Sequence, residues 1–314
     1  MSKETLVERN LALEAVRATE AAARAASRLL GCGDDRAADQ AAVTAMHEAL
    51  GGLPINGTVR VGEGDVNEAP KLYLGEKLGT GDGPVVDVAL MPLEGPTIIA
   101  RGGPNGLSVI AMAENGGFLN APDVYMDKVA VGCGLPEGVV GIDEEPAKNL
   151  KELAKARKVK VNDLVACILD RPRHTELIAK TRQAGARIML IADGDVSGAI
   201  ATTWPASGID IYMGIGGAPQ GVLAAAALGC VGGQFQGRLV MRSDEERKKA
   251  ADLGIKDLEK KYDVHDMAWG NLTFAATGVT GGAMLNGVRH RHGCPVTHSV
   301  VMRSKTGTLR HVEA

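Results

Sequence analysis

Aromatic residues are scarce in this chain. Trp, Tyr and Phe make up 3% of its 314 residues, so the core must be packed from Ala, Val, Leu, Ile and Met rather than around large rings. Positive charge is not in excess either. The formal net charge is −3 and the isoelectric point about 6.2, which excludes an electrostatic nucleic-acid binder with its basic stripe. No run approaches the roughly 18 apolar residues of a membrane span. The five cysteines, Cys32, Cys133, Cys167, Cys230 and Cys294, include no CxxC pair. That pattern predicts reduced thiols in a cytoplasmic protein and no structural zinc site. The N-terminal stretch MSKETLVERNLALEAVRATEAAARAASRLLG is charged throughout and has no apolar core, so it does not read as a signal peptide.

Apolar residues are plentiful at 45%, enough for one large α/β domain or two modest ones. The 41 glycines cluster at turns, as where backbone approaches a ligand closely. Leu6, Leu11, Leu13 and Val16, followed by Ala-rich positions, predict a helix over 4–30, and ADQAAVTAMHEAL a second over 38–50. GTVRVGEG (57–64), VVDVALM (85–91) and LSVIAMA (107–113) read as strands, the second turning sharply at Pro92 and Gly95. Farther on, 162–170, 186–195 and 210–221 read as strands, alternating with helical runs at 174–185 and 196–204. This alternation predicts a parallel sheet with ligands at the strand ends. LVMRSDEERKKAADLG (239–254) reads as a charged surface helix, and the tail as a hairpin turning at SKTG. A soft boundary near 145–160 separates an N-terminal half, 1–150, from a C-terminal half, 151–314.

Several turns carry chemistry-bearing residues. Asp39 at the opening of the second helix, Glu63 in GEG and Glu94 in PLEG are carboxylates presented by three element ends. They can converge on a hard cation or simply be solvated. Arg171-Pro172-Arg173-His174 follows a strand and can fork a phosphate or open a surface helix. Asp193-Gly194-Asp195 can hold sugar hydroxyls or cap a helix. Gly214-Ile215-Gly216-Gly217-Ala218-Pro219 offers backbone N–H groups at a helix start. His290 and His292 in RHRHG read as a basic surface loop rather than a metal site, and Tyr125 as a packing or a ligand-contacting ring.

Together, GEGDVNEAPKLYLGEKLGTG, LNAPDVYMDK, ILDRPRH, DGDV, GIGGAP and MRSKTGT, in that order, resemble class II fructose-1,6-bisphosphatases of the lithium-sensitive sugar-phosphatase superfamily. The resemblance spans the chain. It implies a layered α/β/α/β/α sandwich, a homo-oligomer (dimer or tetramer), and Mg²⁺- or Mn²⁺-dependent hydrolysis of the 1-phosphate of fructose 1,6-bisphosphate, with sedoheptulose 1,7-bisphosphate taken by some relatives. It implies a sugar bisphosphate as partner, with neither nucleic acid nor membrane. It assigns metal ligation to Asp39, Glu63 and Glu94, and catalytic positions to Glu63, Glu94 and Asn67. Sugar-phosphate contacts fall to Gly95, Pro96, Tyr125, Arg171, Pro172, Arg173, Asp193, Gly194, Asp195 and Gly217.

The chain departs from the family pattern at functional positions. The family turn reads D-P-(I/L)-E-G-T, where this chain has Met91-Pro92-Leu93-Glu94-Gly95-Pro96. The family usually has Asp where Asn67 stands and Glu where Gln220 stands, and tends to an acidic turn near VTGGAML (279–285). The changes at 67, 91 and 220 each remove a negative charge. A thioether is a poor substitute for a carboxylate toward Mg²⁺. Two readings follow: an enzyme with a reduced cation site, helped by Asp65 or Asp87, or a non-catalytic relative acting as sugar-phosphate sensor or oligomer partner of an active copy. A chain altered to trap a ligand ranks last, since Asp→Met is not isosteric.

Overall fold

The computed structural model describes residues 3–314, with side chains from Leu11 onward; the expected contribution of Leu6 to the first helix lies outside the described side chains. By contacts the chain divides into two units, Met1–Leu119 with Ala268–Ala314, and Asn120–Met267. The boundary expected near 145–160 instead falls on the helix Pro146–Arg157, inside the second unit.

The first unit is built on a seven-stranded mixed sheet. Its spatial order is Thr308–Glu313, His298–Arg303, Thr273–Gly278, Leu107–Glu114, Val85–Glu94, Asn56–Val61, Lys77–Leu78. Only Asn56–Val61 and Val85–Glu94 run parallel. The helices Lys3–Ser27 and Asp35–Gly51 pack on one another. Ala15, Ala22, Ala23 and Ala26 are fully buried, and these small side chains let the first helix lie close to its neighbours. Thr19 on that helix hydrogen-bonds Thr277 at 2.7 Å, and Thr277 bonds Ser299 at 2.8 Å, so its buried hydroxyls are satisfied across two strands.

The second helix begins earlier than expected. Asp34 caps it, accepting from the Ala37 N–H at 2.9 Å, so Asp39 sits in the second turn and does not open the helix. The strand Val85–Glu94 also departs from its expected shape. It continues as strand through Pro92 to Glu94, with a register shift between Met91 and Glu94 at the place where proline offers no N–H.

The second unit is built on a six-stranded sheet in the order Tyr262–Asp263, Gln234–Val240, Tyr125–Val131, Ile211–Gly217, Val165–Leu169, Arg187–Ile191. The expected parallel arrangement holds only for the last three; the other pairings are antiparallel, so the sheet is mixed. The helix Ala218–Val231 is apolar apart from Gln220 in its first turn, and mostly buried. The charged helix spans Asp244–Asp252 only. Residues 239–240 end the strand Gln234–Val240, whose alternating burial of Phe235, Gly237 and Leu239 is a period-two signal that the charged run after it masked. The tail forms the expected hairpin. Two large mixed sheets flanked by helices are the α/β architecture that the resemblance implies.

Candidate active site

In the first unit, Glu63 lies just beyond the strand Asn56–Val61, in a turn pinned by its N–H donating to the Leu72 carbonyl at 3.0 Å. A Cβ at Gly62 would stand 2.1 Å from that same oxygen, so only glycine permits the crossing. Burial, and then the charge of Asp39, push the Glu63 carboxyl up to about 8. Burial and Asp35 also raise Asp39. Two carboxylates thus share one poorly solvated region and repel each other. Glu94 is 2% exposed at the end of its strand. Among the described residues no three His, Cys, Asp or Glu side chains stand together as a metal cage, so Asp39, Glu63 and Glu94 are not preassembled as one.

The two auxiliary acids are already occupied. Asp87, 1% exposed, accepts from Arg60 Nε at 2.9 Å and from the Gly116 N–H at 2.6 Å; it is a buried anchor of its sheet. Asp65 Oδ1 accepts both the backbone N–H and Nδ2 of Asn67, at 2.9 and 2.6 Å, closing an Asx turn. Gly95 takes the left-handed conformation (φ 81°) before the short helix Pro96–Arg101, where Pro96 fits the first helical position.

In the second unit, the strand Ile211–Gly217 organises the other predicted turns. His174, 1% exposed, receives the Ile215 N–H on Nε2 at 2.8 Å. Its Nδ1 must then carry the proton it donates to the Leu169 carbonyl at 2.8 Å. The ring is a neutral tautomer, and burial, as the chief cause, holds its pKa below the usual value. Arg173 donates Nε and Nη2 to the Ile215 carbonyl at 3.0 and 2.8 Å, and its guanidinium carbon lies 4.7 Å from the centre of the Tyr125 ring. One residue of the strand therefore fixes both Arg173 and His174. Arg171 donates to the Asp170 carbonyl at 3.2 Å. Neither Arg171 nor Arg173 forms an ion pair among the described residues.

The Asp193-Gly194-Asp195 turn does not cap its helix by a side chain. Gly194, at φ 87°, fills the capping position, and the Asp195 carboxylate is held by Lys128. Lys128 Nζ also donates to the Gly217 carbonyl at 2.6 Å. A Cβ at Gly216 would lie 2.0 Å from Asp195 Oδ2, so glycine is what lets the strand pass this pair. Sequence reasoning missed Lys128, whose only sign was a lysine inside a strand otherwise bound for burial. A cleft of about 460 Å³ in this unit takes Arg173, His174 and Ile215 into its wall, but not Tyr125, Asp193, Asp195 or Gly217. It is not the expected sugar-phosphate pocket. His290 and His292 sit on an exposed hairpin, as expected of a surface loop.

Residues 9–314 match the family described as bacterial fructose-1,6-bisphosphatase, glpX-encoded. The chain is 40% identical to a D-fructose 1,6-bisphosphatase class 2/sedoheptulose 1,7-bisphosphatase of Synechococcus sp. (strain JA-2-3B'a(2-13)), covering 98% of this chain and 95% of the relative. It is 41% identical, over the same shares, to fructose-1,6-bisphosphatase 1 class 2 of Escherichia coli (strain K12). The chain belongs to the glpX-encoded fructose-1,6-bisphosphatase family. Members of this family are metal-dependent phosphatases, and the chemistry of the Asp39–Glu63 pair suits one. Its donors are hard carboxylate oxygens in a half-buried setting, where a divalent cation would favour the ionised form of both. Among the described residues no helix is long and apolar enough to cross a membrane.

Proposed function

We propose that this chain binds a sugar bisphosphate, fructose 1,6-bisphosphate or sedoheptulose 1,7-bisphosphate, and hydrolyses its 1-phosphate with a reduced cation site. The observation that carries this reading is that two half-buried carboxylates, Asp39 and Glu63, lie within reach of one another's charge, which together with burial raises the Glu63 carboxyl to about 8. Asp39 and Glu63, with Glu94, would hold Mg²⁺ or Mn²⁺, which when bound polarises a phosphoryl group and neutralises its charge. The chain's own groups supply the rest. Arg171 and Arg173 grip the phosphate that is not cleaved. Asp193 and Asp195 accept sugar hydroxyls, Asp195 oriented by Lys128. Asn67 spends its amide N–H on Asp65, which leaves its carbonyl oxygen to orient a water but not to take a full proton.

A second reading is favoured by Met91, Pro96, Asn67 and Gln220. These positions lack three carboxylates and one backbone N–H relative to the family pattern. On this reading the chain is a catalytically impaired sensor or an oligomer partner of an active copy. Phosphate release from fructose 1,6-bisphosphate across a Mg²⁺ and Mn²⁺ titration separates the two. The natural chain is compared with a variant carrying Asn67→Asp, Met91→Asp, Pro96→Thr and Gln220→Glu. Turnover by the natural chain supports the enzyme; turnover by the variant alone supports the impaired relative. We further propose a cytoplasmic homo-oligomer. The edge strand Arg187–Ile191, with Met189 and Leu190 each more than a third exposed, supports self-association.

A further inference from the structure

The stretch after the Glu63 turn holds a carboxylate that the site above does not use. Residues 72–76 return alongside the strand Asn56–Val61 and its turn. The Leu72 carbonyl takes the Glu63 N–H at 3.0 Å, the Gly64 carbonyl takes the Leu74 N–H at 2.9 Å, and the Glu76 carbonyl takes the Val59 N–H at 3.0 Å. Leu72 is the pivot of this return. It is fully buried and takes the left-handed conformation at φ 57°, which a leucine adopts only when its surroundings hold it there.

Glu76 supplies the hold. Its Oε2 accepts the Leu72 N–H, and its Oε1 lies 3.1 Å from His47 Nε2. A carboxylate oxygen only accepts, so His47 Nε2 carries the proton of that bond. The Glu76 side chain is 13% exposed, so water competes little for these contacts. His47 stands about two turns beyond Asp39 on the helix Asp35–Gly51. A continuous chain of contacts therefore runs from the helix that carries Asp39, through His47, Glu76 and the Leu72 peptide, to the N–H of Glu63.

We propose that Glu76, steadied by His47, is a positioning residue for Glu63. It locks the left-handed Leu72 peptide, and the Leu72 carbonyl in turn fixes the backbone from which Glu63 meets a cation with Asp39. Both Glu76 oxygens are engaged within the protein, so it shapes the site and does not ligate. This inference rests on the cation-site reading above and adds to it the residue that sets the geometry of one ligand.

Mn²⁺ binding is measured on the full chain without substrate, from the loss of the free-ion EPR signal. The proteins are the natural chain, Glu76→Gln, Glu76→Asp and Glu76→Ala, each also combined with Glu63→Gln. Glu76→Gln keeps the reach: its amide oxygen accepts the Leu72 N–H, and its NH₂ donates to His47 in the other tautomer, so Mn²⁺ affinity stays near the natural value. Glu76→Asp keeps the charge but falls one methylene short, and it binds Mn²⁺ about tenfold more weakly, as does Glu76→Ala. A role of charge alone predicts the opposite order, with Asp near natural and Gln weakened. In the Glu63→Gln background the Glu76 changes cost no further affinity, because they act through Glu63. Should Glu76→Ala fail to fold, the Asp and Gln variants carry the comparison. Natural affinity in Glu76→Asp, the opposite order, or a full further loss beside Glu63→Gln overturns the positioning role and leaves the sugar-bisphosphate reading standing. A natural chain that binds no Mn²⁺, or binds it equally well as Glu63→Gln, overturns the cation-site reading and the positioning role together.

Discussion

Lys128 and Asp195 form an ion pair shut away from solvent, at 2% and 7% exposure. The lysine ties the Asp195 turn to the strand end at Gly217, two stretches 22 residues apart in the chain. Burying both charges costs desolvation that their attraction only partly repays, but removing one partner strands the other. Lys128→Met should therefore lose about 3–5 kcal/mol in urea denaturation. The double variant with Asp195→Asn should recover part of that loss, because no uncompensated carboxylate remains. Additive losses would show that the pair is not coupled.

The Glu63 carboxyl makes stability depend on pH. Its folded value near 8 lies above the ordinary 4.5, so between these limits the folded chain binds a proton that the unfolded chain has released. Stability is full below about pH 4.5 and falls as the pH rises toward 8, by up to about 1.4 kcal/mol per pH unit. Asp39, also raised, acts in the same direction. In metal-free buffer, Glu63→Gln should flatten the decline of denaturation stability between pH 5 and pH 8. An unchanged slope would mean that Glu63 is ionised throughout that range.

Much of this molecule was legible because local signals agreed with the final packing. The helix Asp35–Gly51 and the apolar strands around Val88 and Ile168 read directly as periodic or continuous hydrophobic runs. What escaped depends on contacts distant in sequence. Strand order is one such feature, with the tail from Ala268 returning to the first unit. Lys128 is another, since a lysine reads as a surface residue until its partner is known. The Asp39–Glu63 pairing was visible only as a possibility: two acids 24 positions apart carry no sign in sequence that their fields overlap.

Gly62 admits a strong test of how the Glu63 turn is built. Alanine there sets a Cβ against the Leu72 carbonyl oxygen at 2.1 Å, and the backbone carrying that oxygen cannot swing aside as a side chain tip could. The Glu63 N–H bond to that oxygen would stretch or break. Gly62→Ala should cost about 1–3 kcal/mol by thermal or urea unfolding and should weaken cation binding along with it. Wild-type stability with intact cation binding would show that the turn has slack the close approach does not suggest.

Asn67 offers the clearest view of what the missing carboxylates do. Its Nδ2 donates to Asp65 Oδ1 at 2.6 Å, a bond that aspartate at this position cannot make. Asn67→Asp would turn a donor into a second anion beside Asp65, so the metal-free variant should be less stable by about 1 kcal/mol. Adding Mg²⁺ should reverse the order, because a cation bound to the folded form stabilises it in proportion to the logarithm of its concentration over Kd. The variant restored at 67, 91, 96 and 220 should show the larger rise in melting temperature across a Mg²⁺ titration, and the natural chain a smaller one. If the natural chain rises as far as the restored one, Asp39, Glu63 and Glu94 already make a cation site of full strength, and the three absent carboxylates were never what bound it.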